Sequence, residues 1–127
     1  MRAVDTNVVV RLLTQDDLAQ AARAAALIKR EQVWVAKTVM LETGWVLRSL
    51  YGYKQKEVIA ALRSFSGLKH VRLEDSHLIA RALDWADAGM DFADALHVAS
   101  MGPATSFVSF DEKLVARAKP FATVTTL

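Results

Sequence analysis

With 127 residues and a hydrophobic fraction of 53%, the chain is sized for one domain with a sizeable core and leaves little room for a second. The absence of cysteine excludes disulfides and thiolate metal sites. A net charge of +2, from 16 basic and 14 acidic side chains, is too mild to argue for nucleic-acid binding by itself.

Asp5 and Arg11 interrupt the apolar residues of the N-terminus. Neither a signal-peptide core nor a membrane span is therefore expected, and a cytoplasmic protein without membrane partners is the default reading. No repeat or Pro/Gly-rich linker breaks the chain, so residues 1–127 read as a single domain.

Ala3-Val4 is a short strand candidate that ends at Asp5. Asp16 to Arg30 is alanine-rich, with Leu18, Ala21, Ala22, Ala25 and Ile28 at helical spacing. Val33 to Val35 reads as a strand. Thr38 is placed to cap a helix carrying Leu41, Trp45 and Leu50 that stops near Gly52. Lys54 to Phe65 forms an amphipathic helix with Val58, Ala61, Leu62 and Phe65 on one stripe, and His70 to Leu73 forms a third strand.

Ser76 is placed to cap the next helix, whose core face is Ile79, Ala82, Leu83 and Ala86 and which Gly89 ends. Asp91 or Phe92 to about Met101 is a further helix. Ser106 to Ser109 is a fourth strand, Asp111 to about Ala118 a short helix, and Thr123 to Thr126 an edge strand. Strands alternating with helices imply an α/β fold: a mostly parallel central sheet of four to five strands, with helices on both faces. In such sheets ligands bind beyond the carboxyl ends of the strands.

Carboxylates occupy those positions. Asp5 follows the first strand and Asp111 the fourth. Glu42 lies one turn into the helix after the second strand, and Asp94 lies in the first turn of the helix before the fourth. Asp5 and Glu42 each put a charge into an otherwise apolar run, where a lone carboxylate is costly unless paired, protonated or metal-bound. Acids without thiolates or a histidine pattern suit a hard divalent cation, Mg²⁺ or Mn²⁺. Such an ion keeps waters and takes phosphate oxygens, which fits hydrolysis of a phosphodiester.

Asp5-Thr6-Asn7, Glu42 on its helix, Asp91 to Ala99, and Phe107-Val108-Ser109-Phe110-Asp111 together resemble PIN domains. The short single-domain form is similar to the VapC toxins of toxin–antitoxin pairs. The resemblance covers essentially the whole chain and rests on the order and separation of its pieces. It implies Asp5 and Asp94 as central metal ligands, with Glu42 and Asp111 completing the acidic pocket. It also implies Thr6, Asn7, Thr38 and Ser109 as groups that aim those carboxylates. The implied activity is endonucleolytic cleavage of RNA by metal-activated water, leaving a 5′-phosphate. The implied partners are a cognate antitoxin protein and a second copy in a homodimer.

Asp91 reads first as the cap of its helix and second as an additional pocket carboxylate. Lys113 and Arg117, at i and i+4 beside Asp111, read first as a solvated helix face and second as contacts for substrate phosphates. Trp34, Trp45 and Trp85 read as core or dimer packing rather than base-stacking platforms. Asn7 stands where a haloacid-dehalogenase-like phosphotransferase needs a second acid. The paired acids and late lysine of a response-regulator receiver are absent, and the glycines form no dinucleotide or P-loop fingerprint. A housekeeping RNA-processing nuclease, or a catalytically silent binding module of the same fold, is the competing reading.

Overall fold

A computed structural model describes residues 1–127. The chain divides into two compact units, Met1–Ser76 and His77–Leu127. No helix is long and apolar enough to cross a membrane.

The first unit contains β1 (Arg2–Ala3), α1 (Thr6–Thr14), α2 (Leu18–Arg30), β2 (Val33–Val35), α3 (Lys37–Ser49), α4 (Gln55–Ser66) and β3 (Val71–Leu73). Its strands form a parallel sheet in the order β1-β2-β3, with Arg2 opposite Val33 and Val33 opposite Val71. Strands this short hold register because Val33 and Val35 are fully buried, and a one-residue slip would turn both toward water. Met40, Leu47, Val58, Leu62 and Phe65 complete an apolar core with essentially no solvent contact.

Local chemistry sets the helix ends. Asp5 caps α1, its carboxylate accepting the Val8 N–H at 3.2 Å. α1 stops where Gln15 turns left-handed at φ 55° and donates its N–H to the Arg11 carbonyl. The turn into α2 is tied by Asp16, which pairs with the Arg11 guanidinium at 3.0 Å and accepts the Tyr51 hydroxyl at 2.5 Å. Asp17 is the α2 cap, accepting the Gln20 N–H at 3.0 Å.

Some sequence expectations shift. The buried face of α2 is Ala21, Ala24 and Ile28, while Leu18 is 75% exposed at the helix start and Ala22 is exposed. Thr38 lies inside α3, exposed, and caps nothing. The Lys37 N–H at the start of α3 is instead accepted by the Glu74 carboxylate at 2.8 Å, just beyond β3, so a remote side chain fills the capping role. α3 ends at Ser49 rather than near Gly52. α4 begins with Glu57 reaching back to the Lys54 N–H at 2.9 Å.

The second unit runs through α5 (Ser76–Asp87, starting at the boundary), α6 (Phe92–Ala99), β4 (Phe107–Ser109), α7 (Glu112–Ala118) and β5 (Val124–Thr126). β4 and β5 pair in parallel, with Phe107 opposite Val124 and Ser109 opposite Thr126, and α7 is the crossover between them. Ser76 is the first helical residue of α5 rather than its cap. Gly89, at φ 119°, ends the segment as expected, in a conformation that favours glycine. α5 buries Ile79, Ala82, Leu83 and Ala86, the face its periodicity predicts. Trp85 stacks on Phe121 with ring centroids 5.4 Å apart.

All five strands pair in parallel, as strand–helix alternation requires, but they form a three-stranded and a two-stranded sheet rather than one continuous ladder. Strands of two or three residues make few ladder bonds. Alternation along the chain sets pairing direction without setting which strands share a ladder. Of the core-or-dimer reading of the tryptophans, the core alternative fails for two. Trp34 points outward between buried Val33 and Val35 and is 38% exposed, and Trp45 is 59% exposed on α3. Neither is a core residue.

Candidate active site

In the first unit, two chemical groups meet. Asp5 follows β1 and is held by its capping bond to α1. The next residue, Thr6, is only 6% exposed, and its hydroxyl donates to Oε1 of Glu42, tying the start of α1 to the second turn of α3. Glu42 itself is exposed. Thr38, Glu42 and Trp45 fall at helical spacing and share the exposed face of α3. A buried hydroxyl therefore orients a carboxylate that keeps free oxygen valences toward solvent.

In the second unit, Asp91, Asp94 and Asp111 line one cavity of about 190 Å³ together with Lys113 and Arg117. Asp91 caps α6, its Oδ2 accepting the Asp94 N–H at 3.1 Å. Asp111 caps α7 through Oδ1, which accepts the N–H groups of Lys113 at 3.0 Å and Leu114 at 3.1 Å. The Ser109 hydroxyl oxygen in turn accepts the Asp111 N–H at 2.9 Å, fixing the turn between β4 and α7.

Asp94 holds its proton more tightly than an ordinary aspartate. Partial burial is the main cause, the negative charges of Asp91 and Asp111 add to it, and His97 and Arg117 oppose it. Ionising Asp94 thus brings a third negative charge into a partly desolvated space. A bound cation would relieve that repulsion.

The amino-acid sequence matches the PIN domain family over residues 2–120. The chain belongs to the PIN domain family. No curated protein is significantly similar to it in sequence. Among solved structures it is similar to VapC20 of Mycobacterium tuberculosis, described as a sarcin-ricin-loop-cleaving toxin. That similarity is 23% identity over 91% of this chain and 94% of that chain, with a TM-score of 0.46.

In this PIN chain, the acids expected at strand and helix ends occupy two settings. Asp5 and Glu42 belong to the first unit, linked through Thr6, and Asp91, Asp94 and Asp111 share the cavity of the second. No thiol or imidazole lines that cavity, so its donor chemistry fits a hard, oxygen-seeking cation. Within neither unit do three or more such groups close into a ready-made ligand set. Asp91 takes the capping geometry that ranked first for it. Ser109 and Thr6 both bond to the acidic positions, whereas Thr38 is an exposed helical residue and Asn7 an exposed residue of α1.

Lys113 and Arg117 lie on a solvated helix face. They are exposed, yet they also border the acids of this PIN cavity.

Proposed function

We propose that this PIN domain protein is a metal-dependent endoribonuclease, the toxin of a toxin–antitoxin pair, that hydrolyses RNA phosphodiesters with water and leaves a 5′-phosphate. The observation that carries the reading is the cavity of Asp91, Asp94 and Asp111, where burial first and the neighbouring carboxylates second raise the Asp94 pKa, and which two cationic side chains border. Carboxylates that repel one another beside Lys and Arg suit a divalent ion and a phosphate better than they suit a purely structural role.

Asp5 and Asp94 are the principal ligands in this reading, and Glu42 and Asp111 complete the set. Asp91 primarily caps α6 and is an additional carboxylate. Mg²⁺ or Mn²⁺ is the ion, and when bound it supplies Lewis acidity toward the phosphodiester and a water of lowered pKa. Thr6 holds Glu42 in orientation, and Ser109 holds the backbone of Asp111. Lys113 and Arg117 attract the phosphate and offset its charge. Asn7 and Thr38 are assigned to the same positioning work on the strength of the sequence resemblance.

The toxin assignment rests on the VapC-like sequence pattern. With it come a cognate antitoxin, a homodimer and action in the cytoplasm, where RNA is the substrate. The PIN match runs through both units, which supports reading residues 1–127 as one functional domain.

The deciding experiment incubates purified protein with structured RNA, with added Mg²⁺ or Mn²⁺ and with chelator. Cleavage that needs the metal and yields 5′-phosphate ends is expected. Cleavage unaffected by chelator, or no cleavage with either ion, would overturn the proposal. Growth arrest on expression separates a toxin from a housekeeping nuclease, and normal growth would remove the toxin assignment.

A further inference from the structure

The first unit carries a second cavity, of about 560 Å³, lined by residues of β1, α1 and α2. Arg2, Arg11, Arg23 and Arg30 all line it, over an apolar floor that includes Leu27, and no carboxylate is among its lining residues. Glu31 and Asp16 pair with Arg2 and Arg11, so Arg23 and Arg30 supply the net positive charge of this cavity. A concave, partly apolar wall focuses such a field toward an anion.

The arginines are not equivalent. Arg2 is anchored to Glu31 at 2.5 Å, and Arg11 is held by Asp16 at 3.0 Å and Gln20 at 2.8 Å. Both are preorganised by groups outside the floor. Arg23 and Arg30 are exposed and take part in no ion pair. Seven residues apart on α2, they stand about 10.5 Å apart along the helix axis on nearly one face. The cavity also includes Asn7, two residues beyond Asp5.

We infer that this arginine-lined cavity binds the phosphate backbone of the RNA substrate. The inference rests on the ribonuclease reading above and gives it a substrate-holding surface. A polynucleotide carries an anion at every residue, so it can engage successive guanidiniums as a strand passes toward Asp5. No aromatic side chain lines the cavity, so recognition there is through phosphate and tolerant of base sequence. Guanidinium suits this task because its fork of donors can grip a phosphate with two bonds.

The test measures binding of a labelled single-stranded RNA to the full chain by fluorescence anisotropy over a range of salt. Chelator is present so that binding is read without turnover. The Arg23→Ala/Arg30→Ala double variant should lose about tenfold or more in affinity at low salt. Its slope of log affinity against log salt should be shallower by about 1.4, the value for two lost single-strand phosphate contacts. Arg23→Lys/Arg30→Lys should keep most of the slope, because the charges remain.

Unchanged affinity and slope in the alanine variant would overturn the inference, and metal-dependent cleavage by the same preparation would leave the ribonuclease reading standing. If RNA binding were unchanged while binding of poly-glutamate was lost, the cavity would belong to an acidic polypeptide and the inference would equally fail. Wild-type protein that neither binds nor cleaves RNA would sink both readings.

Discussion

The hydroxyl of Thr6 donates to Oε1 of Glu42 across 36 positions of sequence. Thr6 is buried at the start of α1 and Glu42 is exposed on α3, so the bond joins the packed interior to a candidate catalytic carboxylate. Thr6→Val keeps the shape and removes the donor. It should slow RNA cleavage by roughly tenfold while costing about 1–3 kcal/mol of stability, the usual range for a lost hydrogen bond to a charged group. Thr6→Ser should restore most of the rate. Cleavage kinetics and thermal melting of both variants check this, and equal rates in all three proteins would show that the bond does not orient Glu42.

Asp5 has two roles that one substitution can separate. Its carboxylate caps α1, so Asp5→Ala removes a cap as well as a candidate ligand and should cost about 1 kcal/mol. Asn caps a helix about as well as Asp. Asp5→Asn should therefore melt near the wild type yet lose metal-dependent cleavage. Retained cleavage in Asp5→Asn would remove Asp5 from the ligand set.

Burial and the charges of Asp91 and Asp111 raise the pKa of Asp94. With its folded pKa above the unfolded value, Asp94 contributes stability when protonated, below the ordinary carboxylate range. That contribution is lost as pH rises through the raised pKa. At neutral pH its charge therefore works against the fold. In the presence of chelator, Asp94→Asn should raise Tm at pH 7, and the difference should shrink as the pH falls below the ordinary aspartate pKa. The same variant should be inactive. A lower Tm for Asp94→Asn at neutral pH would contradict the electrostatic account.

Two substitutions that bear on the start of α3 should behave contrary to a sequence-based expectation. Glu74→Ala removes the acceptor of the Lys37 N–H and should destabilise by about 1 kcal/mol. Thr38→Ala, at an exposed helical position that caps nothing, should stay within about 0.5 kcal/mol of wild type. Denaturant melts of the two variants decide between them. A larger loss for Thr38→Ala would restore the capping role to Thr38.

Much of the fold was legible because it is encoded locally. The buried face of α5 follows from helical spacing, and Asp91 and Asp111 lie where a helix start needs an acceptor. The locally encoded signals failed where a distant group intervened. Glu74 took the capping role assigned to Thr38. Trp45 has the hydrophobicity of a core residue, but it shares a helix face with Glu42 and Thr38 that is exposed to solvent.

By itself, the amino-acid sequence determined the alternation of short strands and helices, the parallel sense of their pairing, and the acids available for chemistry. Those properties depend on side-chain type and on spacing over a few residues. Only the tertiary structure decided that the strands close into two ladders, that Thr6 reaches Glu42, and that Asp94 meets the fields of Asp91 and Asp111. It also gathered four arginines around one cavity. Coulombic and hydrogen-bond energies depend on separation in space, and distance along the chain does not report it.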